Sequence, residues 1–158
     1  MKRRAGFTLV ELMVVVAILG ILAATAVPLL KTWQQRAYGS EATLTLKSIL
    51  DGEIMYFLEN EKFYPDPVDS IEIYHDGTQR LNGAVDLTVI QDTLDALKIK
   101  IPVGHFLYFY IRNTTVGTPK TCHIEIRHYR GLDLFKNGAK SIIGDLDDTG
   151  KIEISYGP

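Results

Sequence analysis

Cysteine is almost missing from this chain: Cys122 is the only one in 158 residues, so no disulfide can form within it. Many small exported domains rely on such staples. Here stability has to come from packing, from contacts between subunits or from a metal. A basic excess is also missing. The formal net charge is −2 and the isoelectric point is near 6.1, which excludes the strongly basic footprint of a chain whose main partner is nucleic acid. There is no Gly-rich phosphate loop, nucleophile elbow or Walker-type motif, and there are no internal repeats or low-complexity tracts. The usual signatures of nucleotide chemistry and nucleophilic catalysis are therefore lacking.

What is present is an ordinary globular composition, 46% hydrophobic and 23% charged, in a chain long enough for one modest domain. Its charge is unevenly distributed. Lys2, Arg3 and Arg4 crowd the first four positions, and the next charge is Glu11. Setting those three aside from the 17 basic side chains leaves 14 against 19 acidic ones, so the body of the protein is acidic. From Phe7 to Leu30 the sequence runs apolar with that single carboxylate. As a helix these 24 residues would rise roughly 36 Å, enough to cross a hydrocarbon core of about 30 Å. The basic flank should remain cytoplasmic and place the C-terminal bulk across the membrane. An ordinary secretory signal has its apolar stretch ahead of a small-residue cleavage site. In this chain a short basic leader comes first and the apolar run follows it.

The stretch "KRRAGFTLVELMVVVAILGILAATAVP" resembles the N-terminus of bacterial type IV pilins and of the pseudopilins of type II secretion. The resemblance implies cleavage between Gly6 and Phe7 by a prepilin peptidase, then N-methylation of Phe7 by the same peptidase/methyltransferase. It implies that Glu11 is the family's assembly glutamate, four residues after the new N-terminus. Gly20 and Pro28 fall where such chains carry a helix-weakening glycine and a kink-forming proline. It further implies an inner-membrane assembly platform as a partner, and a helical filament of identical subunits as the product.

Elementary physics agrees with that assignment. A charged group in lipid is costly, and a carboxylate kept there needs a partner. Cleavage before Phe7 would create an α-amino group at almost the height of Glu11. The two charges from neighbouring subunits can neutralise each other. Within one chain, a helix N-terminus also favours a nearby carboxylate. Pro28 removes a backbone hydrogen bond and should bend the helix near its preceding turn, and the stretch from Gly20 to Pro28 is a candidate for local melting in a filament.

Beyond Leu30 the pattern turns amphipathic. Leu46, Ile49, Leu50, Ile54, Phe57 and Leu58 recur at helical spacing, predicting one long helix from about Phe7 to Asn60, softened at Gly39 and again at Gly52. "NEKFYPDP", with Pro65 and Pro67, should end it. "SIEIYHDGTQRLNG" predicts a short strand and turn, and "VDLTVIQDTLDALKIKIP" a short helix using Leu87, Ile90, Leu94 and Leu97. "HFLYFYIR", "TCHIEIRHYR" and "KSIIGDLDDTGKIEIS" read as strands and hairpins. The expected fold is α+β: a long N-terminal helix packed on a small C-terminal antiparallel sheet of three or four strands. The expected parts are a leader (1–6), a transmembrane and assembly half-helix (7–30), and a globular head with the second half of the helix (31–158). Together they would make a lollipop-shaped subunit.

Three constellations of residues bear on chemistry. In "GDLDDTG", Asp145, Asp147 and Thr149 alternate ahead of Gly150, like the start of a calcium loop, with Asp148 a further candidate ligand. Tyr156 stands where such a loop would need its bidentate glutamate, and a hairpin turn uses the same residues for local conformation. Calcium is the one cofactor these residues suggest. Cys122, His123 and His128 cannot form a metal site along one strand, because His123 faces away and Cys122 lies about 20 Å from His128. Cys122 reads as a small core residue. Phe106, Tyr108, Phe109 and Tyr110 read as strand packing, and "NTT" at Asn113 matches a glycosylation acceptor.

The expected function is a structural subunit of a type IV pilus serving adhesion, twitching motility or DNA uptake. The alternatives are a pseudopilin forming a short periplasmic fibre, and a membrane-anchored enzyme or binding domain. The subunit would begin in the inner membrane as a single-pass protein with its head in the periplasm. It would end in an extracellular pilus or a periplasmic pseudopilus.

Overall fold

A computed structural model describes residues 7–66, 70–101, 106–114 and 120–158. The leader with Gly6, Pro67 and most of the turn after Asn113 lie outside the described residues. The first element, α1 (Leu9–Asn60), is a single 52-residue helix that shares its length between two compact units, one ending at Gln35 and one running from Arg36 to Pro158.

In the second unit α1 buries Gly39, Ala42, Thr45, Leu46, Ile49, Leu50, Gly52 and Glu53, the three- and four-residue spacing of one helical face. Two sequence expectations are corrected here. Leu58 is 72% exposed, because the buried face ends a turn earlier and the chain leaves the helix at Glu61, whose φ is 57°. Gly39 and Gly52 do not soften the helix. They sit inside it where a side chain has no room: a Cβ on Gly39 would collide with the Leu134 carbonyl oxygen, and one on Gly52 would come within 2.9 Å of the Leu97 carbonyl oxygen. Both glycines serve close packing rather than flexibility.

The sheet is larger than the sequence suggests. Among the described residues seven strands, all antiparallel to their neighbours, take the order β3-β2-β1-β4-β5-β6-β7. They are β1 (Ser70–Ile73), β2 (Gln79–Leu81), β3 (Ala84–Val85), β4 (Leu107–Thr114), β5 (Thr121–His128), β6 (Ser141–Asp147) and β7 (Ile152–Gly157). The expected four strands are β4 to β7. Of the other three, β1 and β2 come from the segment expected to give one strand and a turn, and β3 follows directly after it. Asn82 and Gly83, both with positive φ, make the two-residue turn joining β2 to β3, as an Asn-Gly pair does in hairpins. A short helix, α2 (Val89–Leu97), buries Val89, Thr93 and Leu97. Its inner stripe is offset from the expected one, and Leu87 lies outside the helix, exposed.

Alternation fills the core. Leu107, Phe109 and Ile111 of β4, Cys122, Ile124 and Ile126 of β5, and Ile142 and Leu146 of β6 are all buried among α1 residues. Gly144, at the same face, lets the helix settle on the sheet: a Cβ there would stand 3.0 Å from Leu46 and 3.2 Å from Leu50. Burying some twenty such residues stabilises the unit by roughly 1.5–3 kcal/mol each before chain entropy is subtracted.

Candidate assembly surface

In the first unit the residues from Phe7 to Gln34 are all exposed, although they are almost all apolar. This half of α1 is long and apolar enough to cross a membrane. Gly20 has open space where a side chain would be. Pro28 lies inside the helix, and the Thr32 hydroxyl donates to its carbonyl at 3.1 Å.

The helix begins with a device that the resemblance did not anticipate. Thr8 is the residue before the first helical position and Glu11 the third within it. The Thr8 N–H and hydroxyl both donate to Glu11 Oε2, at 2.9 and 2.8 Å, while Thr8 Oγ1 accepts from the Glu11 N–H at 3.2 Å. This is a capping box, two otherwise unpaired backbone donors satisfied reciprocally. Its signal, T-x-x-E ahead of an apolar run, stands in "TLVE" and could have been read there. All of these bonds fall on Oε2. Oε1 is left with no hydrogen bond among the described residues.

The same helix carries a second glutamate in opposite surroundings. Glu53 is fully buried, its Oε2 accepts the Tyr64 N–H at 3.0 Å, and its carboxyl also interacts with the Cys122 thiol. Oε1 makes no hydrogen bond of ordinary geometry. Burial pushes the carboxyl up to about 8, opposed by the Tyr64 N–H. Burial and the Glu53 charge together push the Cys122 thiol up. Cys122 is thus an inert core residue, as the sequence predicted. Glu53 was missed, because a lone glutamate on a mixed helix face reads as solvated.

The other candidate residues separate. The carboxylates of "GDLDDTG" each have their own partner. Asp145 meets His123 Nδ1 at 2.7 Å, Asp147 Oδ1 accepts the N–H groups of Thr149 and Lys151, and Asp148 Oδ2 accepts the Lys120 N–H. Among the described residues no three acidic, histidine or cysteine groups converge as a metal site. The segment works as a turn: Asp147 caps it and Gly150 takes φ 83°. His128 packs edge-on to Tyr38 of α1 and stacks on Phe106, on the helix side of the sheet with Cys122. Asn113 is buried and its amide donates to the Phe63 and Pro65 carbonyls, so this acceptor is closed in the folded chain.

The described residues thus combine an exposed apolar half-helix carrying one capped carboxylate with an α+β unit. Residues 1–27 match the family model described as the prokaryotic N-terminal methylation motif. Among curated proteins the chain is 46% identical over 61 residues to the type IV major pilin protein PilA of Myxococcus xanthus, covering 39% of this chain and 28% of that one. It is 45% identical over 58 residues to the type IV major pilin protein PilE1 of Neisseria gonorrhoeae, covering 37% and 35%. It is 40% identical over 83 residues to a fimbrial protein of Moraxella nonliquefaciens, covering 52% and 51%. No solved structure matches. The N-terminal part of the chain is therefore similar to that of type IV pilins, and the chain spans between 28% and 51% of the length of these relatives.

Proposed function

We propose that this chain is a structural subunit of a type IV pilus. The observation that carries the reading is the first half of α1: from Leu9 to Leu30 an apolar surface with no cover of its own and one carboxylate, Glu11. Lipid covers it before assembly, and the same segments of other subunits cover it afterwards. Prepilin peptidase cuts between Gly6 and Phe7, Phe7 is N-methylated, and the new amine of one subunit meets Glu11 Oε1 of a neighbour. The cost of either charge alone in an apolar bundle makes that pairing a register for packing. Such contacts are heterologous and extend into an open helical polymer. The relatives above are named as pilins and fimbrial proteins, which favours a pilus over a short secretion fibre. Their structural role also favours assembly, and not catalysis, as the work of the protein. The platform in the inner membrane, and a head that waits in the periplasm, belong to the same reading.

The test is imaging of cells that express the chain, with antibody against the second unit. Long surface fibres that carry the label are expected, with the subunit in them lacking residues 1–6. Label confined to short periplasmic polymers would sink the pilus reading. A bulky residue at Gly6 should leave the leader attached, and a mature-sized product from that variant would argue against cleavage there.

A further inference from the structure

Among the described residues the sheet ends on one side at β7, which pairs with β6 alone. The register fixes which way the β7 backbone faces. The Asp147 N–H donates to the Lys151 carbonyl at 3.1 Å, and the Lys140 N–H donates to the Gly157 carbonyl at 3.1 Å. The odd-numbered residues of β7 therefore turn their N–H and C=O groups to β6. Those of Ile152, Ile154 and Tyr156 point away from the sheet. The side chains of these three share the face of their partners Leu146, Gly144 and Ile142, which is the face that α1 packs on. The helix leaves them uncovered: Ile152 is 42%, Ile154 57% and Tyr156 53% exposed. Lys151 and Glu153 lie on the opposite face and pair with each other at 2.5 Å. No proline or charge interrupts the three outward residues, although such interruptions are the usual protection of an open edge.

An edge of this kind takes an extended strand of matching length. The other edge of the sheet, β3, has two residues and does not match three outward positions. A second β7 does. With two copies set antiparallel about Ile154, Ile154 faces Ile154 of the second copy, and each Ile152 faces the other copy's Tyr156. Each of these three pairs exchanges two N–H···O=C bonds. The apolar side chains close on each other across the seam, while Glu153 stands opposite Ser155. The neighbouring registers fail. A shift one way sets Glu153 against Glu153, like charges directly opposed. A shift the other way sets Ile152 against Pro158, which has no N–H to donate.

We propose that β7 is a docking edge for β7 of a second copy of this chain, antiparallel and two-fold about Ile154, making one sheet from two. This contact goes beyond the filament reading. An isologous pair closes on itself, whereas filament contacts are heterologous and stay open. A single pair of strands is a small interface of the transient class, so the pairing is reversible and is best trapped covalently.

The full-length chain in detergent micelles, carrying single introduced cysteines under mild oxidation, tests this. The native Cys122 is buried and does not compete. In the proposed register Ile154→Cys brings two Cα atoms to about 5.5 Å, and Glu153→Cys mixed with Ser155→Cys brings them to about 4.5 Å, both within disulfide reach. Glu153→Cys or Ser155→Cys alone leaves about 7–8 Å, beyond it. Covalent dimer is expected several-fold faster from Ile154→Cys and from the mixture than from either of the other two alone. Adding Ile154→Lys to both chains of the mixture sets two ammonium groups against each other at the seam and should slow its cross-linking several-fold. Ile154→Pro, which removes an outward N–H and no bond to β6, should do the same. Equal cross-linking at all three positions, or none at any, would overturn the proposal. So would a mixture whose cross-linking is unchanged by both Ile154 substitutions, which would place the contact between copies elsewhere.

Discussion

The two glutamates of α1 occupy one helix and two environments. Glu11 stands in a stretch where every residue from Phe7 to Gln34 is exposed. Glu53 stands where the helix is walled in by β5, Tyr64 and the core. The first carboxylate is satisfied locally by Thr8 through one oxygen, and the other has no hydrogen bond among the described residues. The second is satisfied by its own fold, incompletely. An apolar helix can be stabilised by its own tertiary core or by something outside the chain, and the polar group left on it shows which.

Breaking the outer glutamate should have the largest effect. Glu11→Ala is expected to insert in membranes at normal levels and to be nearly absent from fibres, measured by comparing membrane and sheared-fibre fractions. Normal fibres from that variant would remove the reason for treating the two halves of the helix differently.

The inner glutamate makes a pH prediction. Its folded carboxyl titrates near 8 against an ordinary 4.5, so the neutral acid is the form the fold accepts. Its stability is complete below about pH 4.5 and is lost as pH rises towards 8, by an amount on the order of 4 kcal/mol. Glu53→Gln should flatten that dependence and unfold at higher denaturant than wild type at pH 8. Identical wild-type midpoints at pH 5 and pH 8 in detergent micelles would contradict a buried carboxyl.

A smaller effect is expected at Gly39. A methyl group there must displace the Leu134 backbone, so Gly39→Ala should destabilise the second unit by about 1–3 kcal/mol in spite of its better helix propensity. The first unit supplies the contrast, since Gly20→Ala meets nothing and should be neutral or slightly stabilising in the isolated subunit. Least of all, Lys98→Ala removes an exposed pair with Glu59 at 3.0 Å and should cost about 1 kcal/mol or less.

Sequence legibility follows the same division. The apolar run, the end of α1 at Asn60 and the four strands β4 to β7 were readable because each is a long periodic segment. Periodicity weakens in the 70–97 region, where strands of two to four residues give few repeats, so that the sequence shows a strand and a turn where the fold has the three strands β1 to β3. In α2 Leu97 is buried as expected, but Val89 and Thr93 hold the core positions expected for Ile90 and Leu94, the Thr93 hydroxyl donating to the Val89 carbonyl at 2.6 Å. Leu58 looked like core because spacing cannot tell where the sheet stops. Of the site residues, Glu11 was legible as a charge out of place, whereas Thr8 passed as one more residue of the run. The aspartates of the last turn were legible as a turn, and spacing alone could not show that each carboxylate already has a separate partner.

The position of the helix cap has a consequence for maturation. Thr8 and Glu11 both lie C-terminal to the Gly6–Phe7 bond, so the cap that opens α1 among the described residues would survive a cut there. Peptidase action would then swap a basic tail for a single terminal charge without restarting the helix or shifting its frame. The precursor and the mature subunit would present the same rotational setting of side chains to a neighbour. Proteolysis in that scheme switches on competence by charge alone, leaving the geometry of docking already cast in the unprocessed chain.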